Sequence, residues 1–128
     1  MFEKHHRSVD GQCDCRRRDP LDRRHHRPSI IPANATPGVE DLTIEDLLTL
    51  RAGLESTSGR NYGAWVNSDN WVSFALRRPM VASPGGRMIY STGTTHILGA
   101  VLAVATGKNL LEQARAVLGQ PLGIEIPA

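Results

Sequence analysis

Apolar side chains recur at helical spacing in four stretches of the chain, and turn-forming residues separate these stretches. Intervals of three and four residues between apolar positions are typical of one face of an α-helix. The pattern predicts helices over residues 43–53, 70–77 and 95–106, and a fourth helix that begins after Asn109. Only residues 87–90 have the character of a short strand or extended segment. The chain is therefore predicted to be mainly α.

Capping signals mark the ends of these helices. Thr43 and Asp46 form a capping-box pair at the start of the first helix, and Asn109 and Glu112 begin the fourth helix in the same way. We expect Gly53 to end the first helix, because glycine is the usual residue after a helix C-terminus.

Residues 55–63 are polar and rich in turn formers, so we predict a loop there. We expect Ser68 or Asp69 to cap the second helix, and Pro79 to stop it.

Residues 1–28 differ in composition from the rest of the chain. They carry eight Lys and Arg against five Asp and Glu, a net charge of +3, whereas residues 29–128 carry seven against eight, a net charge of −1. Six apolar side chains in the first segment are too few to offset the entropy of ordering it. We predict a disordered, basic, His- and Arg-rich tail over 1–28 and a folded region over 29–128. Our hypothesis for the abrupt change is that residues 1–28 are a spurious, frame-shifted reading.

Charge and composition argue against several classes of function. The net charge of +2 is too small to indicate a nucleic-acid partner. No apolar run reaches the length of a membrane span, and the N-terminus has no signal-peptide core. We expect a cytoplasmic location, unless an export signal was lost with the true N-terminus. Cys13 and Cys15 are too few for a disulfide framework and fit no zinc pattern with the nearby histidines. We predict no metal site and no cofactor.

The strongest chemical signal is the segment Pro84–Gly93, which reads PGGRMIYSTG. It puts Tyr90 at the end of a short apolar run, just before a polar turn and a helix, where a phenol could be held against a nucleophile. The chain has two lysines, Lys4 and Lys108, and neither has a serine three residues before it. The residues therefore predict part of a hydrolase site rather than a whole one.

Four segments, in this order along the chain, resemble the serine beta-lactamase-related family. That family includes class C beta-lactamases, penicillin-binding-protein-like carboxypeptidases, and related esterases and amide hydrolases. The segments are residues 42–54 (LTIEDLLTLRAGL), 84–92 (PGGRMIYST), 98–108 (LGAVLAVATGK) and 121–124 (PLGI). The resemblance covers residues 29–128. It implies a helical subdomain fragment of the α/β beta-lactamase/transpeptidase-like fold.

The resemblance also implies a reaction, the hydrolysis of a small ester or amide through an acyl-serine intermediate without metal or cofactor. In this family the serine of Ser-x-x-Lys attacks the acyl carbon, a tyrosine moves the proton, and a Lys-Thr-Gly or His-Thr-Gly strand helps to bind substrate. Tyr90 matches the family tyrosine, the general base, and Ser91 and Thr92 match the substrate-binding positions after it. Thr92 replaces the usual asparagine and lacks its paired donor and acceptor, which favours an esterase or amidase over a penicillin-type enzyme.

A serine is a poor nucleophile until a neighbouring base takes its proton. Neither Ser-x-x-Lys nor Lys-Thr-Gly occurs in this chain. We therefore predict that the chain is inactive alone.

Two other interpretations stay open. The chain could be a non-enzymatic helical module whose basic arm binds an acidic partner. Alternatively, the chain never folds stably, and the exposed faces of its third and fourth predicted helices make it aggregate or need a partner. We expect His96 to be an ordinary helix residue. Trp65 and Trp71 either pack against the second helix or line a substrate cleft.

Overall fold

The computed structural model describes residues 30–128. Its α-helices are α1 (Ile44–Leu48), α2 (Tyr62–Val66), α3 (Trp71–Leu76), α4 (Thr92–Thr106), α5 (Leu110–Ala114) and α6 (Gln120–Leu122). Two 3-10 turns lie at Val39–Asp41 and Gly59–Asn61, and a π-helical turn lies at Arg115–Gly119. Regular structure in this part of the chain is helical, as the apolar pattern predicts. Residues 87–90, the predicted short strand or extended segment, form no β-strand. The predictions for residues 1–28, including the disordered tail and the basic arm, lie outside the described residues.

The described residues divide into two compact units, the first ending at Val101 and the second beginning at Leu102. The first unit has a core drawn from α1, α2, α3 and the first turns of α4. Its buried apolar side chains are Val39, Leu42, Ile44, Leu47, Ala52, Leu54, Trp65, Ala75, Leu76, Ile97, Leu98 and Val101. Each buried Leu, Ile or Val stabilises the fold by about 1.5–3 kcal/mol. Helices and loops alone therefore supply the hydrophobic core of this unit.

Both predicted capping boxes are present. Thr43 Oγ1 accepts from Asp46 N at 3.1 Å, and Asp46 Oδ2 accepts from Thr43 N at 3.0 Å. At the start of α5, Asn109 Oδ1 accepts from Glu112 N at 2.9 Å while Glu112 Oε2 accepts from Asn109 N at 3.0 Å. Each pair satisfies two of the amides that a helix N-terminus leaves without partners.

The C-terminus of α1 differs from the prediction, because the helix does not extend to Gly53. Leu50 N donates to Leu47 O and Arg51 N donates to Asp46 O, which is the bonding pattern of a Schellman motif. Leu50 has a φ of 57°, in the left-handed region that glycine usually occupies at this position. A leucine therefore ends the helix, which the expectation of a terminal glycine could not anticipate.

Gly53 instead lies where two extended segments of the chain are hydrogen-bonded to each other. Its carbonyl oxygen accepts from Val81 N at 2.8 Å and from Ala82 N at 3.2 Å, beside an antiparallel bridge between Leu54 and Met80. Its φ is 81°, and a Cβ atom on it would lie 2.2 Å from the carbonyl oxygen of Ala82. The close approach of these two backbones thus requires glycine.

The predicted loop over residues 55–63 is wrong in its second half. A 3-10 turn at Gly59–Asn61 leads directly into α2, which begins at Tyr62. Trp65 is the buried residue of α2 and packs this helix against the rest of the first unit. Only five residues make up this helix, so its apolar pattern is too short to be recognised along the chain.

The cap of α3 also differs from the prediction. Asn70 is the N-cap, and its side-chain oxygen accepts from Ser73 N at 2.9 Å. Ser68 instead closes the preceding helix, because its hydroxyl donates to the carbonyl oxygen of Trp65 at 2.6 Å. Asp69 lies between them in an exposed turn.

In the second unit, the end of α4 agrees with the prediction, since Gly107 follows it with a φ of 70°. After α6, the last residues of the chain bond back to the π-helical turn at Arg115–Gly119. Ile124 N donates to Gly119 O at 2.9 Å, and Arg115 Nε donates to Ile126 O at 2.8 Å.

The spacing of the apolar residues in the fourth predicted helix predicts that they line its inner side, but the structure buries none of them: Leu110, Leu111, Ala114, Val117 and Leu118. Leu110, Val117 and Leu118 are about half exposed. Periodicity identifies an apolar stripe but does not say whether another element covers it. Among residues 30–128, no helix is both long enough and apolar enough to cross a bilayer.

We expect Gly53→Ala to lower the free energy of unfolding by about 2–4 kcal/mol, because it adds backbone strain and a clash with Ala82. Gly63→Ala is the matched control: it lies in α2 with nothing within 4 Å of its Cβ position. We expect that substitution to be neutral or to stabilise by up to about 1 kcal/mol. Urea denaturation followed by circular dichroism measures both values, and equal effects would contradict the assigned role of Gly53.

Candidate functional site

Tyr90 lies two residues before the start of α4, in a segment held by a row of hydroxyl groups. We call this arrangement the hydroxyl ladder: Ser56, Thr57 and Ser58 on one side face Tyr90–Gly93 on the other. The two sides are more than thirty residues apart along the chain. The ladder therefore depends on the tertiary fold.

The first contact of the ladder fixes the backbone of Tyr90. The hydroxyl of Ser56 donates to the carbonyl oxygen of Tyr90 at 2.7 Å. Next along the chain, Thr57 N donates to Ser91 Oγ at 3.1 Å, and the hydroxyls of Thr57 and Ser91 lie 3.2 Å apart. Thr57 and Ser91 are both buried. A buried hydroxyl without a partner destabilises the fold, so each of these two residues depends on the other.

The same ladder caps α4 from outside the helix. Gly93 N donates to Thr57 Oγ1 at 2.8 Å, and Thr92 N donates to Ser58 Oγ at 3.0 Å. The Ser58 and Thr92 hydroxyl oxygens are also 3.0 Å apart. The first amides of a helix have no partner within the helix. Here two of them are satisfied by a distant loop, which fixes that loop against the start of α4.

Gly93 allows this close approach. A Cβ atom at this position would lie 2.7 Å from Thr57 Oγ1 and 3.0 Å from Ala75 Cβ. Any larger residue would push the ladder apart. Gly93, the second residue of α4, therefore helps to position Tyr90 because it has no side chain.

A second set of backbone bonds holds the segment before Tyr90. Gly85 N donates to Arg51 O at 2.8 Å, and Ile89 N donates to Leu50 O at 2.8 Å. The main chain is thus fixed on both sides of Tyr90 by residues 50–58. Its side chain is 67% exposed. The phenol is presented to solvent from a backbone that is firmly held.

The three predicted site residues are consecutive but have different surroundings. Tyr90 and Thr92 are exposed, whereas Ser91 is buried with its hydroxyl bonded to Thr57. The ladder residues Ser56 and Thr57 were not identified from the sequence. Their signal is a run of three hydroxyl residues in a polar loop, but nothing local indicates what such a run contacts.

Glu55 is the carboxylate next to the ladder along the chain, and it is already paired. Its oxygens lie 3.5 Å from Arg78 Nη1 and 3.8 Å from Arg60 Nη2. The Arg78 guanidinium also stacks over the Phe74 ring at 4.6 Å. This carboxylate therefore serves an ion-pair network. Within residues 30–128, no group of three or more His, Cys, Asp and Glu side chains could hold a metal ion.

An aromatic cluster surrounds Trp65. The rings of Tyr62, Trp71 and His96 have centroids 5.8, 5.1 and 5.9 Å from it, and His96 is 5.4 Å from Trp71. The indole of Trp65 donates to Trp71 O at 3.0 Å. Trp65, which is on α2, is buried and packs against Trp71 of α3 and His96 of α4. Trp71 is partly exposed. His96 packs in this cluster as a helix residue.

Comparison with known proteins gives the class of this chain. A family model described as Beta-lactamase matches residues 19–127. The chain belongs to this family, which confirms the resemblance carried by its four segments. No curated protein matches the chain significantly.

Two solved structures are similar to it. One is a penicillin-binding protein homologue from Pyrococcus abyssi, described as octameric, at 25% identity and a TM-score of 0.57 over 89% of this chain. The other is EstCE1, described as a hydrolase with promiscuous acyltransferase activity, at 24% identity and a TM-score of 0.53 over 66% of this chain. The match spans 26% of each of these longer chains.

We expect Thr57→Val to lower the free energy of unfolding by about 1–3 kcal/mol, because it leaves the Gly93 amide without its acceptor and removes the hydroxyl contact between Thr57 and Ser91. Thr95→Val, at an exposed position of α4, is the matched control and should change stability by less than about 0.5 kcal/mol. Urea denaturation of both variants tests this. A Thr57 variant as stable as its control would show that the ladder does not hold the start of α4.

Proposed function

We propose that this chain supplies the tyrosine-bearing helical part of a serine hydrolase site. The observation that carries the proposal is the placement of Tyr90: an exposed phenol on a fixed backbone, two residues before α4, in a chain of the Beta-lactamase family. The reaction we propose for the complete site is hydrolysis of a small ester or amide through an acyl-serine intermediate.

In this proposal Tyr90 handles the proton. A serine hydroxyl attacks the acyl carbon and passes its proton to the Tyr90 oxygen as the new ester bond forms. The same proton then goes to the leaving alcohol or amine, and water later cleaves the acyl-serine. A phenol acts as a base only where nearby cations favour the phenolate. The serine and the cation both belong to a Ser-x-x-Lys motif, which this chain does not contain.

Thr92 favours an ester or a simple amide as substrate. It stands where the family usually has asparagine, and its hydroxyl already lies 3.0 Å from the Ser58 hydroxyl. A single hydroxyl offers one donor hydrogen, whereas an amide side chain offers a donor and an acceptor side by side.

We expect the isolated chain to hydrolyse p-nitrophenyl butyrate no faster than buffer, with Tyr90→Phe giving the same rate. The reason is that the chain has no serine followed three residues later by lysine. Activity that disappears in Tyr90→Phe would contradict this, because it would mean that a competent site forms without that motif.

A chimera tests the role of Tyr90 where a nucleophile is present. Residues 30–128 replace the corresponding region of EstCE1, and ester hydrolysis is measured. We expect Tyr90→Phe to lower kcat by about 10²–10⁴-fold, the usual contribution of general acid–base catalysis. Tyr62→Phe is the matched control, since it removes a phenol from the aromatic cluster and should leave kcat unchanged. An active chimera in which Tyr90→Phe has no effect would overturn the proposed role.

A further inference from the structure

Two polar side chains in the loop over residues 56–61 do not cap the helical elements that they precede. Ser58 is the N-cap of the 3-10 turn at Gly59–Asn61, and Asn61 is the N-cap of α2, but neither side chain makes a capping bond. Serine and asparagine at an N-cap usually accept a bond from one of the first helix amides. Both short elements therefore lack a stabilising contact that their own residues could supply.

The side chains of this loop are bonded towards Tyr90 and the start of α4 instead. The Ser58 hydroxyl oxygen accepts from Thr92 N at 3.0 Å. Asn61 Nδ2 donates to Ser56 O at 2.9 Å. The Ser56 hydroxyl in turn donates to Tyr90 O at 2.7 Å and accepts from Ser58 N at 2.9 Å. Two side-chain bonds thus lead from the N-terminus of α2, through Ser56, to the backbone of Tyr90.

We propose that Ser56 and Asn61 are positioning residues for the reaction in which Tyr90 takes part. Ser56 holds the carbonyl group of Tyr90, and Asn61 holds Ser56. Proteins break local rules such as helix capping mainly at functional sites, where a side chain is needed for another contact. The inference rests on the proposed function, because the position of Tyr90 affects a reaction rate only if its phenol takes part.

These two residues differ from Thr57 in how much the fold depends on them. Thr57 and its partner Ser91 are buried, so the loss of their bonds leaves polar groups away from water. Ser56 and Asn61 are only partly buried, and water can reach the groups that a substitution there would leave unpaired. Substitutions at Ser56 and Asn61 should therefore loosen Tyr90 while lowering overall stability less than Thr57→Val does.

Relaxation of ¹⁵N amides in the full chain tests the positioning without any need for activity. The Ser91 N–H shares a peptide plane with the Tyr90 carbonyl group, so its order parameter reports whether that carbonyl is held. We expect about 0.85 in the parent chain, a lower value in Ser56→Ala, and recovery in Ser56→Thr, which keeps the hydroxyl. Ser68→Ala is the matched control, because the Ser68 hydroxyl also donates to a backbone carbonyl, that of Trp65. It should leave the Ser91 value unchanged.

The kinetic consequence is measured in the EstCE1 chimera. We expect Ser56→Ala to lower kcat by about tenfold or more with KM unchanged, because it misplaces the phenol without removing a substrate contact. Ser56→Thr should restore kcat, and Ser68→Ala should leave it unchanged. A residue that only stabilised the fold would not separate kcat from KM in this way.

A Ser91 order parameter that Ser56→Ala leaves unchanged, or that Ser68→Ala lowers equally, would overturn the inference. So would a chimera in which Tyr90→Phe lowers kcat and Ser56→Ala does not. A chimera in which Tyr90→Phe itself has no effect contradicts the proposed function instead, so the two failures are distinguishable.

Circular dichroism checks that each variant is folded. If Ser56→Ala is not, Asn61→Asp makes the same test, because it removes the donor to Ser56 O with almost no change in side-chain size, and it should also lower the Ser91 order parameter. Its matched control is Asn67→Asp, since Asn67 Nδ2 donates to the carbonyl oxygen of Gly63 at 2.8 Å. Equal Ser91 values in these two variants would likewise contradict the inference.

Discussion

The requirement that the first amides of α4 find hydrogen-bond partners determines how the first unit is arranged. A helix cannot satisfy those amides itself, and here two of them bond to a neighbouring loop, one of them in a buried position. Hydroxyls of Thr57 and Ser58 supply the acceptors. That choice fixes residues 56–58 against the start of α4, and it requires glycine at position 93, where a Cβ atom would meet Thr57. The position of Tyr90 follows from these contacts, since it lies two residues before the helix and its carbonyl oxygen is bonded to Ser56 in the same loop.

Sequence patterns predicted two local features of this chain, the capping boxes at the starts of α1 and α5. Both capping boxes join residues three apart, so a short motif contains all the information that they need. The hydroxyl ladder joins residues 34 or more apart, and a run of Ser and Thr residues does not say which distant amides it will meet. The end of α1 was missed for a related reason. Leucine at position 50 adopts a left-handed conformation because neighbouring segments hold it there, against its own preference.

Apolar periodicity predicted burial correctly in the first turns of α4 but not in α5 and the turn after it. In α4 the predicted apolar residues Ile97, Leu98 and Val101 are buried, whereas Leu102 and Ala105 are half-buried. In α5 and the turn after it a similar pattern leaves Leu118 about half exposed. The physical signal is the same in both, because amphipathicity shows only that a face favours burial. Whether it is buried depends on which other elements are present, and this chain spans about a quarter of the solved structures that it resembles.

The way in which Tyr90 is held bears on its proposed role. A tyrosine that serves the fold usually buries its ring and bonds its hydroxyl to a nearby group. Tyr90 is anchored through its carbonyl oxygen instead, while its ring stays largely in solvent. Fixing the backbone and leaving the side chain outside the core is an arrangement that adds little hydrophobic stability. It suits a side chain that must meet a group from outside this chain, and a catalytic serine is such a group. The same reasoning explains why the hydroxyl ladder, rather than the aromatic cluster, is the part of the first unit that a hydrolase site would need.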